Sequence, residues 1–280
     1  MKASLPAFCL GLILIASSSI SGPAHAKGIL SLDLCSDWLA AHFASRDSVI
    51  TLSPMAVRHP PPWSDRGWPT HDGSLEQILA LRPELVIVGA FNAPLLRQRL
   101  ASLGFQVVVL DQVADLIGLA SQIKRLLEAI NRLAGAPPER ADQLSASTAL
   151  QTGPPLTASG RESQAAGTRA TTPRGRLLLL GPNGYGTGPG TFEAALIEAA
   201  GWRNHIERPG HHRLDLESLT RTPPDAILWT SPPGPALANR FAQHRALARA
   251  VPMERWLKTD YWRWQCPGPW SLDLIRQLQP

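Results

Sequence analysis

The chain has 280 residues, a formal charge of +5 and three cysteines. That length admits one large domain or two lobes of about 100 residues each, either able to bury a proper core. The positive balance suits anionic ligands or a membrane surface, but the arginines are scattered along the chain, which argues against a nucleic-acid partner.

The N-terminus reads MKASLPAFCLGLILIASSSISGPAHAK. One lysine precedes an apolar run from Phe8 to about Ala16, followed by small residues and Ala24-His25-Ala26. This is the three-part layout of a secretory signal peptide, so residues 1–26 are expected to be cleaved and the rest delivered to the periplasm. The run is short for a bilayer span. Cys9 lies inside it rather than at the cleavage site, so no lipid-anchored cysteine is expected. Two cysteines then remain, Cys35 and Cys266, in a compartment where disulfides persist. The count alone leaves both a bridge and two separate thiols open.

An N-terminal α/β lobe is expected over 27–113. GILSLDLCSDWLAAHF reads as strand, loop and helix. SLEQILALRPELVIVGA, from Ser74, reads as a short helix, a proline stop, an acidic turn and an apolar strand. A linker follows over 114–173. Its first half places Leu116, Leu119, Ile123, Leu126, Leu127 and Ile130 at helical spacing and ends at Gly135, before Pro137-Pro138. Its second half is polar and small, and reads as a helix from Pro138 that gives way to an irregular stretch around Gly153 to Gly175.

The C-terminal lobe, 174–280, repeats both units of the first. GRLLLLGPNGYGTGPGTFEAALIEAAG again gives strand, loop and helix, and DLESLTRTPPDAILWTS repeats the second unit. At a constant offset of 141, Leu75 matches Leu216, Glu76 matches Glu217, Pro83 matches Pro224 and Glu84 matches Asp225. Continuous apolar runs joined by helices imply parallel strands buried on both faces. The expected fold is α/β: two related lobes with mainly parallel sheets, joined by a long helical crossover, with a ligand cleft between them.

Loops at the carboxyl ends of such strands surround the crevice where ligands bind. The first lobe offers Cys35 after its first strand, the loop around Trp63 and Trp68, and Phe91 after LVIVGA. The second offers Tyr185 in its glycine-rich loop and the segment YWRWQCPGPW, 261–270, with Trp262, Trp264 and Trp270. Proline holds that segment in shape, and each indole would present about 150–250 Å² of rigid surface to a large ligand. By the same placement Cys35 and Cys266 face one opening. A bridge between them would cross the lobes, whereas separate thiols would pack a loop or touch the ligand.

Other chemistries fit less well. GPNGYGTGPGT follows a strand but lacks the Gly-Lys-Ser/Thr ending of a nucleotide loop. No HxH or HxxxH pair with a matching acid marks a bare-metal site, although an importer protein for a divalent ion is the nearest alternative. Cys35 acting with a distant histidine would make a secreted thiol enzyme, the contrasting class, but no nucleophile elbow or paired-carboxylate motif accompanies it. No catalytic residue, protein-bound metal ion or resident cofactor is expected.

SLDLCSDWLAAHF, GSLEQILALRPELVIVG, GPNGYGTGPGTF and WQCPGPWSLDLI resemble, in order from about Gly28 to Leu278, the periplasmic substrate-binding proteins of ABC importers. More narrowly, they resemble the helical-backbone class that delivers ferric siderophores, haem or cobalamin. ALQTGPPLTASG departs from the regular second helix usual in that class. The resemblance implies a monomer that takes a metal chelate (a ferric siderophore or cobalamin ahead of haem) and delivers it to a permease dimer in the inner membrane. It also implies that one glutamate on each lobe docks the permease, here Glu76 and Glu217. Two equivalent acids on related lobes suit a two-fold symmetric partner, and they suit equally a pair of solvated acids near helix N-termini. Arg58, Arg66, Arg213 and Arg263 are candidates to pair with anionic groups of the ligand.

Overall fold

The computed structural model describes residues 28–64, 67–133, 174–231 and 234–279. The expected signal peptide, the second half of the linker and Arg66 lie outside the described residues. The first lobe runs β1 (Ile29–Ser31), α1 (Leu34–Phe43), β2 (Val49–Thr51), α2 (Leu75–Leu81), β3 (Leu85–Gly89), α3 (Pro94–Ser102) and β4 (Gln106–Leu110). Its strands pair in parallel in the order β2-β1-β3-β4. Leu85 to Val88 are fully buried, as a parallel strand covered on both faces requires.

Local chemistry sets the helix ends. Asp33 caps α1, its carboxylate accepting the N–H groups of Cys35 and Ser36, while Ser36 Oγ accepts the Asp33 N–H. Ser74 caps α2, which stops at Arg82 in the left-handed region (φ +47°), just before Pro83.

After β4 comes α4 (Leu116–Leu133), the crossover expected from the apolar spacing. The second lobe continues with β5 (Arg176–Leu180), β6 (Tyr185–Thr187), α5 (Phe192–Ala199), β7 (Arg203–Asn204), β8 (His211–Arg213), α6 (Leu216–Arg221), β9 (Ala226–Trp229), α7 (Arg245–Ala250), β10 (Trp256–Leu257) and α8 (Ser271–Leu278). Its parallel strands run β7-β5-β9-β10, the same plan as β2-β1-β3-β4. The duplication holds to the residue: α2 and β3 begin at Leu75 and Leu85, α6 and β9 at Leu216 and Ala226, an offset of 141 in both cases.

The glycine-rich segment differs from the open loop expected of it. β6 pairs antiparallel with the end of β5 and with β8, so Tyr185 lies on a sheet rather than on a free loop. Glycine is required there for close approach. A Cβ on Gly188 would lie 1.8 Å from the Arg208 carbonyl oxygen, and Gly184 turns at φ +73° against the Phe241 ring.

Two features tie the lobes together. One is α4, which inserts Leu126, Ala129 and Ile130 among Ile29, Leu39 and Leu85 of the first lobe, and packs Leu119, Ile123 and Leu127 against Phe192, Leu196 and Leu274 of the second. The other is the bridge across the lobes, one of the two states the sequence leaves open for the cysteines. The segment before α8 reaches across and buries Cys266 and Trp270 in the first-lobe core, and a disulfide joins Cys35 to Cys266 with Cα atoms 5.2 Å apart. A single helical crossover therefore understates the connection.

The first lobe also buries a charge-bearing group. Asp37 on α1 is fully inaccessible and accepts hydrogen bonds from the hydroxyls of Ser31 and Ser53 and from the Ser53 N–H at 2.7 Å. Burial raises its carboxyl above the ordinary value of 3.8, while these donors lower it and nearby Asp33 adds to the rise. The folded carboxyl thus holds its proton where the unfolded one has lost it. Its contribution to stability is fully present below the ordinary carboxylate value and is lost as the pH climbs through the raised folded value. Asp37→Asn, neutral throughout, is expected to flatten that part of the stability curve. Urea unfolding between pH 4 and 7 checks this, and an unchanged slope would contradict it.

Candidate functional site

The two sheets aim the carboxyl ends of their strands at a shared cleft of about 590 Å³ lined by both lobes. From the first lobe come Asp33 after β1, Gly89, Phe91 and Asn92 after β3, and Asp111 and Gln112 after β4. From the second come Thr191, Phe192 and Glu193 at the start of α5, His211 on β8, and Arg263 and Trp264. Gln122 of α4 lines the cleft between them. Asp33 fixes the first-lobe wall: besides capping α1, its second oxygen accepts the Gly89 N–H at 2.6 Å, tying the ends of β1 and β3. Thr191 caps α5 by accepting the Ala194 N–H, which turns the first turn of that helix towards the opening.

Of the residues expected to face a ligand, Cys35, Phe91 and Trp264 line this cleft. Phe91 stands 79% exposed at the rim. Trp264 is half-buried, its Nε1 donating to Thr259 Oγ1 at 2.8 Å while its ring packs beside Ile275. Cys35 contributes through its half of the disulfide.

The other aromatics are placed elsewhere, and their expected cleft contact gives way to packing. Trp63, Trp262 and Trp270 gather around Trp38 of α1, with ring centroids 6.1, 5.8 and 5.8 Å from it, and His42 joins at 5.5 Å from Trp63. Trp270 is only 5% exposed and donates from Nε1 to the Cys266 carbonyl at 2.7 Å. Burial in this cluster pushes the His42 imidazole below its ordinary value. Trp68 lies under the Arg46 guanidinium, 4.4 Å from its ring, and donates to Ser64 Oγ. Tyr185, on β6, is not among the cleft residues. Of the proline-stiffened indoles, Trp262 and Trp270 thus pack against the first lobe, and Trp264 lines the cleft.

Sequence reasoning missed Gln122, Asp111 and Glu193. Asp111 carried a signal, because it follows the apolar run QVVVL as Asp33 follows ILSL. Gln122 carried another: it stands three residues after Leu119, a polar side chain within the apolar stripe of α4. It is 5% exposed, and its Oε1 has no hydrogen-bond partner among the described residues.

Among the candidate cations in the described residues, only Arg263 reaches the cleft, and it is committed already. It pairs with Asp260 at 3.1 Å and with Asp273, donates to the Trp270 carbonyl, and lies 4.4 Å over the Trp262 ring. Arg58 and Arg213 are not among the cleft residues. Cys35, being oxidised, offers no thiolate, which removes the basis of the thiol-enzyme reading. Among the described residues no three His, Cys, Asp or Glu side chains are grouped to hold a metal ion, and no helix is long and apolar enough to cross a membrane. Glu76 and Glu217 are both exposed, each the second residue of its equivalent helix, and Glu217 pairs with Arg221 at 2.9 Å.

No protein-family model and no curated protein matches the sequence. Solved structures do match in fold. A periplasmic solute-binding protein of Staphylococcus epidermidis superposes with a TM-score of 0.67 at 15% identity, over 91% of this chain and 97% of that one. A periplasmic haem-binding protein of Pseudomonas aeruginosa gives 0.64 at 20%, over 90% of each chain. The periplasmic vitamin B12-binding protein BtuF of Vibrio cholerae gives 0.57 at 18%, over 90% and 94%. Two related, mainly parallel α/β lobes around one cleft are the fold that this chain shares with these periplasmic binding proteins.

Proposed function

We propose that the chain is the periplasmic substrate-binding component of an ABC importer, a monomer that captures a metal chelate between its lobes and delivers it to a membrane permease. The observation that carries this reading is the cleft. It draws its walls from both lobes, its volume of about 590 Å³ falls within the range of small-molecule sites, and Phe91, Phe192 and Trp264 give it an apolar rim. Folds matched by binding proteins for haem and vitamin B12 support the class of ligand. Equilibrium titration of the folded protein with metal chelates tests it. One chelate binding with 1:1 stoichiometry at micromolar or lower Kd is expected; no chelate binding, or the free metal ion binding as well as its chelate, would overturn it.

Docking follows from the duplicated helices. Glu76 and Glu217 occupy equivalent exposed positions, so they would meet matching basic sites of a two-fold permease. The double variant Glu76→Lys, Glu217→Lys is expected to abolish uptake while leaving chelate affinity within about twofold, since neither residue lines the cleft. Weakened chelate binding with intact uptake would reverse the assignment.

A further inference from the structure

Beyond the chelate cleft, we propose that the second lobe carries a separate anion site, a cavity of about 470 Å³ beside α6 that takes a phosphate-bearing ligand. No residue lining it lines the cleft, and all of them belong to the second lobe. Its volume falls within the range of small-molecule sites. Four arginines line it: Arg176 at the start of β5, Arg208 in the loop before β8, Arg213 at the end of β8 and Arg221 at the end of α6. Two carboxylates do so, those of Glu207 and Asp215.

Pairing decides how much of that charge is available. Arg221 is bound to Glu217 at 2.9 Å. Asp215 accepts the N–H groups of Glu217 and Ser218 and the Ser218 hydroxyl, and these donors hold its carboxyl below the ordinary value. Arg176, Arg208 and Arg213 have no carboxylate partner among the described residues, so Glu207 pairs with none of them. Nη2 of Arg176 donates to the Pro223 carbonyl at 3.1 Å. The positive field reaches His205 in the cavity wall: burial first, and then Arg176, push its imidazole below the ordinary value, although Asp225 and Glu207 act the other way. Three guanidinium groups against one carboxylate leave the cavity positive. A phosphate group answers this better than a carboxylate, because its three acceptor oxygens and higher charge let several guanidinium forks bond at once.

The walls are fixed before any ligand arrives. Half-buried Leu214, backed by Ile206 and Leu219, gives an apolar side against which the organic part of a phosphate ester can pack. The loop that carries Glu207 and Arg208 is held at both ends. Asn204 Oδ1 accepts the Ile206 N–H at 2.9 Å, and Nε2 of His212 donates to the Pro209 carbonyl at 2.9 Å. Less ordering is then required on binding.

The test is equilibrium titration of the whole protein with glycerol 3-phosphate and with glycerate, a carboxylate of similar size, together with co-sedimentation on phosphatidylglycerol vesicles. If the phosphate is a soluble ester, glycerol 3-phosphate is expected to bind once per chain with a millimolar or lower Kd, at least fivefold more tightly than glycerate. If it is a lipid headgroup, the vesicles are expected to capture the protein. In either case the double variant Arg208→Ala, Arg213→Ala is expected to weaken binding tenfold or more, both side chains being exposed and free of ion pairs among the described residues. Arg245→Ala, Arg249→Ala removes the same charge from exposed positions on α7, outside the cavity, and is expected to stay within twofold. Binding by neither probe, glycerate binding as tightly as glycerol 3-phosphate, or equal losses in the two double variants would overturn the inference. Chelate affinity is expected to be unchanged in all of these variants, so failure here leaves the proposed function standing.

Discussion

Replacing Cys35 and Cys266 by serine is expected to lower the stability of the protein by about 5 kcal/mol. The bridge closes a sequence separation of 231 residues, and in the chain-entropy account a loop of that length restricts the unfolded chain strongly. For a chain of this size, that corresponds to a melting temperature lower by roughly 10–20 °C. Cys266 is 1% exposed inside the first-lobe core, so the serine variant also places a hydroxyl among apolar side chains. Chelate binding is expected to survive in the fraction that remains folded, because α4 and the tryptophan cluster still join the lobes. Denaturant unfolding of oxidised, reduced and serine forms checks the magnitude. Two titratable thiols in the unfolded, unreduced protein, or a loss below about 1 kcal/mol, would contradict it.

Trp270→Ala is expected to cost about 3–5 kcal/mol of stability, the range for emptying a large buried site. The indole is 5% exposed, lies 4.9 Å from the ring of Trp63 and 5.8 Å from that of Trp38, and holds the Cys266 carbonyl through its Nε1. The turn that carries it is shaped around the ring: a Cβ on Gly268 would lie 2.3 Å from the indole. Repacking from neighbours would therefore have to move a proline-bounded loop, and the cavity is expected to stay largely open. Affinity per folded molecule is expected to stay unchanged, since Trp270 does not line the cleft. Trp264→Ala makes the contrast, with a weaker chelate complex expected because that residue does line it. Normal stability with lost binding in Trp270→Ala would return the indole to a ligand role.

The repeated architecture was legible in the sequence because it is written in local patterns. The apolar runs LVIV and AILW, the capping residues Ser74 and Asp215, and the prolines Pro83 and Pro224 each act within a few residues. The stripe of α4 was equally plain, since a buried helix needs its apolar residues at fixed spacing. The site was legible only in part. Phe91 and Trp264 follow from the placement of strand ends, but Trp262 and Trp270 were read towards the cleft because their partners, Trp38 and Trp63, lie some two hundred residues away. An aromatic loop looks the same in sequence whether a ligand or a helix covers it. β6 was not expected as a strand because a glycine-rich stretch carries little strand propensity, and what holds it is pairing with β5 and β8. Gln122 stood out only as a polar break in the apolar stripe of α4, and its place in the cleft depends on how α4 packs between the lobes.

In the proposed function a metal chelate sits between the lobes. An anomalous-difference map, collected at the absorption edge of the metal on crystals of the protein grown with its tightest-binding chelate, tests this. One strong peak is expected inside the cleft, between Phe91 on one wall and the start of α5 at Glu193 on the other, with Gln122 also lining the site. A peak beside the Trp38–Trp270 cluster, or on the outer surface of either lobe with the cleft empty, would contradict it.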